Sequence, residues 1–372
     1  MFTFLISFVA SALFTLLVIK QAKAHGAALD SDLSGVQKVH ASAVPRIGGM
    51  GIFFAMIFTG IVTMLRLPEL AKPTAWLLGC AAIAFYGGIA EDFTRRVGVM
   101  QRLLLTMAAA AAGYFMLDAH IDRLDWMGMT WVLPTIWLAL PLTVVAVAGV
   151  ANAVNIIDGF NGLAGAVSLF MLLSLAYVAF QVGDTQVLVA ALTVAGATAG
   201  FLIWNYPAGM IFLGDGGAYL VGFMLAELTV LLVMRNPTVS TWYAALLLVY
   251  PVFETLFSAY RRLFLRGQSP GMPDGIHLHS LIFRRIVCWA IGRDEASAVL
   301  RRNALTSPYL WLLSLMAVIP ATMFWQYTPV LMGFCLLFVV SYVWLYARIV
   351  TFRSPRWMML GRREPRDAAA QE

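Results

Sequence analysis

LPTIWLALPLTVVAVAGVANAVNIIDGFNGLAG, residues 133–165, decides the class of this protein. Its first twenty residues carry no charge and are almost wholly apolar. At 1.5 Å per helical residue such a run crosses a hydrocarbon layer about 30 Å thick. The apolar residues do not alternate with polar ones, which suits a lipid-facing helix and not a barrel strand. The text then changes. Residues 152–165 hold three Asn, three Gly and Asp158, and an acid beside hydrocarbon is costly enough to need a reason.

Ten more apolar segments flank this one. With 133–152 the set is about 2–19, 47–65, 74–90, 103–118, 133–152, 163–181, 186–204, 216–234, 241–260, 306–325 and 329–347. The expected fold is therefore an all-α integral membrane protein of about eleven transmembrane helices. Composition agrees. Of 372 residues 61% are hydrophobic and 12% charged, against about 25% charged in soluble domains, so a soluble globule and a disordered chain are both excluded. Cys80, Cys288 and Cys335 are too few and too scattered for a disulfide scaffold. The spans leave little room for a soluble domain. One multi-pass unit over 1–348 is expected, with a basic tail over 349–372.

Lys and Arg set the orientation. The first lysines, Lys20 and Lys23, follow the first apolar run, the reverse of a secretory signal. That run reads as an uncleaved helix with a periplasmic N-terminus. The cytoplasmic pieces are then 20–46, 91–102, 153–162, 205–215, 261–305 and the tail, and they hold 21 of the 25 basic residues. Such a split follows the positive-inside rule, places the C-terminus in the cytoplasm and explains the net charge of +6 without nucleic acid. The longest outer loop, 119–132, reads as an interfacial hairpin or cap with Trp126 and Trp131 at headgroup level.

The acids at span ends carry the chemistry. Glu91-Asp92 lie in GGIAEDFTRR (87–96), Asp158 in NAVNIIDGFNGLAG (152–165), Asp215 in FLGDGGAYLVGF (212–223), and Asp274 in the loop after the ninth span. All fall on the basic side. Glycine-rich text lets backbone approach a ligand closely, and a helix starting beside an acid offers N–H groups to phosphate. The loops of Asp158 and Asp215 contain no basic residue, so a hard divalent cation is the expected partner. Two further pieces on that face, Lys38 to Gly49 and Asp274 to Arg285, supply Lys, Arg and His donors suited to a diphosphate. The combination points to phosphoryl or nucleotide-sugar chemistry at the cytoplasmic interface.

PRIGGMGIF (45–53), Glu91-Asp92, NIIDGFNGLAG (155–165), FLGDGGAYLVG (212–222) and GIHLHSL (275–281), in this order, resemble the polyprenyl-phosphate N-acetylhexosamine-1-phosphate transferases, the superfamily that also holds phospho-N-acetylmuramoyl-pentapeptide transferase. The resemblance runs over about 36–286. It implies transfer of N-acetylhexosamine 1-phosphate from a UDP-sugar to undecaprenyl phosphate, giving a polyprenyl-diphosphate sugar and UMP, at the start of O-antigen, capsule or exopolysaccharide synthesis. The implied setting is the cytoplasmic face of the bacterial inner membrane. The implied cofactor is Mg²⁺, with Mn²⁺ as substitute. The implied partners are the lipid phosphate, a UDP-N-acetylhexosamine and the bilayer, and a homodimer is compatible with it.

Residue by residue, the resemblance makes Asp215 the metal ligand and Asp92 the base toward the lipid phosphate, with Glu91 and Asp158 beside them as catalytic acids. It makes Lys38, His40, Arg46, Arg95, Asn155, Asn161, His277 and His279 substrate-binding. Glu91 stands where many members have Asp, Asn161 where many have a second Asp, and Ser280 where some have His. These departures suit a subgroup acting on O-antigen or capsule sugars, with UDP-GlcNAc or a 6-deoxy relative as donor. Direct attack by the lipid phosphate is expected over a covalent aspartyl intermediate, because a phosphate dianion is already nucleophilic and positioning supplies most of phosphoryl-transfer catalysis. Simpler readings exist: a helix-end ion pair for Glu91-Asp92, helix N-caps for Asp158 and Asp215, a turn for Asp274. Glu254 is expected to support the site from within its span, and Glu227 has no assigned task. The rival class is a transporter or flippase, against which stand acids at span ends rather than at the midplane.

Overall fold

The apolar runs form helices that satisfy their own backbone groups, as hydrocarbon requires. The computed structural model describes residues 1–25, 29–30, 44–126, 129–132, 135–265, 267, 276–288 and 296–351. Lys38, His40, Asp274 and the basic tail beyond Thr351 lie outside them. The helices are α1 (Phe2–His25), α2 (Gly48–Arg66), α3 (Ala71–Thr94), α4 (Val99–Leu117), α5 (Ile136–Ile157), α6 (Leu163–Val182), α7 (Thr185–Asn205), α8 (Gly214–Arg235), α9 (Thr241–Leu247), α10 (Val249–Tyr260), the short α11 (Leu278–Ile282), α12 (Ala296–Met323) and α13 (Thr328–Val350). Among the described residues ten helices are long and apolar enough to cross a membrane, and the pair α9–α10 makes an eleventh crossing if counted as one span. The chain is a multi-pass membrane protein.

That pair corrects the sequence reading. Residues 241–260 are not one straight span but two helices bent by 69°. Pro251 supplies the reason. It is the third residue of α10, has no N–H to give to Leu247, and its ring crowds the Leu247 carbonyl. The helix therefore breaks at Leu248.

Helix α8 runs through the middle of the bundle, buried without interruption from Gly216 to Val233. At its N-terminal end α2 and α3 pack closely against it. A side chain on Gly49 of α2 would strike the Gly217 backbone, and one on Gly88 of α3 would strike the Asp215 carbonyl. Gly214 has φ +75, a left-handed conformation that favours glycine, and a Cβ there would also meet the Arg46 carbonyl. Small residues let membrane helices pack backbone to backbone. These glycines thus serve helix-to-helix approach, where the sequence reading had assigned them to the approach of a ligand.

The chain before α2 is tied to the same place. Strands β1 (Leu29–Asp30) and β2 (Val44–Pro45) pair antiparallel. The Phe212 N–H donates to the Pro45 carbonyl at 2.8 Å, and the Gly48 and Gly49 N–H groups donate to the Phe212 and Leu213 carbonyls, each at 2.9 Å. At the other end of α8, β3 (Arg123–Trp126) and β4 (Met129–Val132) form an antiparallel hairpin with Trp126 opposite Met129, as expected for the 119–132 loop.

Candidate active site

The N-terminus of α8 gathers side chains from four other parts of the chain. Asp92, buried at the end of α3, accepts the Asp215 N–H on Oδ1 at 2.9 Å and the Gly216 N–H on Oδ2 at 2.8 Å. It caps α8 from a neighbouring helix, satisfying amides that have no partner within their own helix. Both oxygens are engaged, so Asp92 fixes where α8 and Asp215 sit.

Asp215 is gripped from two sides. Its Oδ1 accepts Asn155 Nδ2 at 2.7 Å. Its Oδ2 is ion-paired with Arg102, and Arg46 stands 4.0 Å away. This corrects the expectation that Asp215 lacks a cationic partner. Arg102 comes from the first turns of α4, and its guanidinium also lies 5.6 Å from the Tyr219 ring centre. The Tyr219 hydroxyl in turn donates to Asn152 Oδ1 at 2.9 Å. Arg102 is a site residue that sequence reasoning counted only as a positive-inside charge. Its one visible signal was a basic residue placed inside an apolar helix beside the acidic pair.

Asp158 follows α5 and is the contrasting acid. Among the described residues no donor or cation pairs with its carboxylate. Burial, and next the negative charge of Asp215, push its carboxyl up to about 7, with Arg46 opposing the shift. Mg²⁺ takes oxygen ligands, commonly one or two carboxylates completed by water and phosphate. Among the described residues no three His, Cys or acidic side chains form a metal cage by themselves. An all-oxygen pair, Asp158 and Asp215, with a carboxylate whose charge lacks compensation, fits such a shared ion.

The histidines lie beside the Asp158 loop. His277 and His279 are buried, and their rings stack with centroids 5.2 Å apart. The His279 ring lies against Phe160 and over Gly159, where a Cβ would come within 3.0 Å of its Nε2. The histidine motif and the Asp158 loop are thus neighbours. Glu254 holds His277, so the supporting task expected of Glu254 has a geometry.

Other expected residues have other tasks in this structure. Glu91 accepts the Val97 N–H on Oε2 at 2.7 Å and fastens the α3–α4 turn. Arg95 is exposed and ends α3 in a left-handed conformation, φ 54. Asn161 is buried, with its N–H on Asn303 Oδ1 at 2.8 Å, its carbonyl accepting the Ser307 hydroxyl at 2.6 Å, and its amide 3.4 Å from the Pro207 carbonyl. It locks the loop after Asp158 onto α12.

The Glycosyl transferase family 4 description matches residues 74–233, which contain Glu91, Asp92, Arg102, Asn155, Asp158 and Asp215. Over that segment, less than half of its length, the chain is similar to the family. Over 254 residues, 65% of this chain and 66% of the relative, it is 27% identical to a probable undecaprenyl-phosphate N-acetylglucosaminyl 1-phosphate transferase of Bacillus subtilis. Over 97 residues, 26% of this chain and 32% of the relative, it is 35% identical to the undecaprenyl-phosphate alpha-N-acetylglucosaminyl 1-phosphate transferase of Thermotoga maritima. An Escherichia coli protein of the same description is 26% identical over 265 residues, 68% of this chain and 69% of the relative. The family 4 match thus spans the acid cluster but ends before the histidine motif.

Proposed function

We propose that this protein transfers N-acetylhexosamine 1-phosphate from a UDP-sugar to undecaprenyl phosphate, releasing UMP. The observation that carries the reading is the meeting of Asp92, Asn155, Asp158, Asp215, Arg46 and Arg102 at one end of α8. The activity for which the relatives are named supports it. UDP-GlcNAc is the first donor to test, with 6-deoxy-N-acetylhexosamine donors next. Initiation of O-antigen, capsule or exopolysaccharide synthesis is the corresponding cellular task.

The chain's own residues divide the work. Arg46 and Arg102 would bind and orient phosphate oxygens, and Arg102 also holds Asp215. Asp92 fixes the start of α8. His277 and His279 would meet the donor diphosphate from across the Asp158 loop. Asp158 and Asp215 would hold Mg²⁺ or Mn²⁺, which supplies charge neutralisation on the departing UMP. The lipid phosphate attacks directly, since a dianion needs no covalent intermediate and positioning does most of the remaining work. The 21 basic residues out of 25 on one side support a cytoplasmic setting for this end of the bundle, at a bacterial inner membrane.

The test is UMP release by the purified protein given undecaprenyl phosphate, Mg²⁺ and a panel of UDP-sugars. Release that needs both the lipid and the divalent ion supports the reading. A protein active with no member of the panel, or one releasing UMP equally well without lipid, refutes it.

A further inference from the structure

His277 is held by a buried carboxylate. Glu254, on α10, is buried together with His277, Leu278 and Tyr342. Its Oε1 accepts the Leu278 N–H at 3.2 Å and lies 3.0 Å from His277 Nδ1. Its Oε2 accepts the Tyr342 hydroxyl, from α13, at 2.6 Å. A buried charge persists only where such bonds compensate it. A carboxylate accepting from an amide on one oxygen and a phenol on the other is an acceptor throughout, so His277 Nδ1 carries the proton and donates. The nitrogen left for chemistry is then Nε2.

The same helix grips the residue before His277. Arg261 Nη1, just past α10, donates to the Ile276 carbonyl at 3.0 Å and to the Tyr346 hydroxyl at 2.6 Å. Positions 276, 277 and 278 are thus all fastened to α10 and its continuation, whose direction is set by the 69° bend. The His277 ring lies nearly parallel to that of His279, at 13°, and His279 packs against Phe160 of the Asp158 loop. A fixed His277 ring therefore fixes a stack that ends at the acid cluster.

We propose that Glu254 is a positioning residue: it sets His277 as the Nδ1–H tautomer and presents Nε2 to the donor phosphates, with Tyr342 holding Glu254 in place. The phosphate half rests on the transferase reading, and the tautomer half does not. Around metal-bound histidines, loss of the orienting partner commonly costs about 10- to 100-fold in activity, and a loss of that order is expected here.

Two measurements on the full-length protein decide it. The chain has five histidines, so ¹⁵N-histidine NMR in detergent can assign His277 by its absence in His277→Gln. The wild type is expected to show the Nδ1–H tautomer, and Glu254→Gln to move it toward the Nε2–H form; an unchanged tautomer overturns the proposal. In the UMP assay, Glu254→Gln and His277→Gln are each expected to lower kcat about tenfold or more with little change in donor KM, and the double variant to be no worse than His277→Gln alone. Losses that multiply overturn the proposal. Tyr342→Phe, which keeps the carboxylate, gives a second reading if Glu254→Gln does not fold: its loss must vanish in the His277→Gln background, and persistence there overturns the proposal. A wild-type protein without any UMP release would refute the transferase reading while the tautomer measurement still decides the role of Glu254.

Discussion

The two ends of α8 both carry acids and arginines, and they use them differently. At the C-terminal end Asp125 is saturated. It accepts the Thr241 N–H at 2.8 Å and the Thr130 hydroxyl at 2.9 Å, and Arg123 approaches both its oxygens at 3.0 and 3.2 Å. Arg123 itself donates to the Val233 and Val239 carbonyls, each at 2.7 Å. Asp184 caps α7 through the Val187 N–H at 3.1 Å and also meets Asn236 and Arg235. These charges are consumed in pinning the β3–β4 hairpin and the helix ends. At the N-terminal end Asp215 shares cations with a partly exposed surface, and Asp158 has no such bonds among the described residues. A closed network holds a fold; an uncompensated one is a place where a ligand gains binding energy.

The comparison can be broken in order of expected effect. Asp215→Asn should lower UMP release by on the order of 100-fold or more. It should also lower the melting temperature, because it leaves the buried Arg102 without its carboxylate. Parental turnover would remove Asp215 from the site. Arg102→Lys should lose about tenfold or more in kcat/KM, since a point charge does not replace a guanidinium beside both Asp215 and the Tyr219 ring. An unchanged kcat/KM would return Arg102 to the positive-inside tally. Asp92→Asn should act first on stability, by roughly 1.5–3 kcal/mol, because an amide NH₂ cannot accept one of the two α8 amides. Thermal melting in detergent measures this, and an unshifted melting point would deny the cap.

The smallest catalytic effect belongs to the opposite end. Asp125→Asn should leave UMP release near parental while costing roughly 1.5–3 kcal/mol of stability. Burial works against ionising Asp125, yet the Thr241 N–H, the Thr130 hydroxyl and Arg123 outweigh it and hold the carboxyl below its ordinary value. Its stabilisation is therefore fully present above the ordinary aspartate pKa of about 3.9 and is lost as pH falls through the depressed folded value. Melting curves below pH 4 should converge for the parent and Asp125→Asn; curves that stay apart would contradict the assignment.

Much of the fold was legible because a membrane span announces itself: a run such as 216–234 can hardly be anything else, and α8 matches it within two residues. The α9–α10 bend was not read, although Pro251 stood in plain view, because hydropathy reports length and not direction. The acids of the site were legible because charge is scarce in this chain. Their partners were not. The Arg102–Asp215 pair joins residues on different helices, and nothing local in FLGDGG points to α4. Gly49, Gly88 and Gly214 were recognised as close-approach positions, but only packing reveals that the approaching group is another helix.

Asp158→Asn tests the central claim most directly, because this carboxylate holds nothing together among the described residues. The expected result is a loss of UMP release on the order of 100-fold or more with a melting temperature equal to or above the parent's. Parental turnover, or a fall in stability that tracks the loss of activity, would contradict the claim that the α8 N-terminal end leaves its charge uncompensated for a ligand.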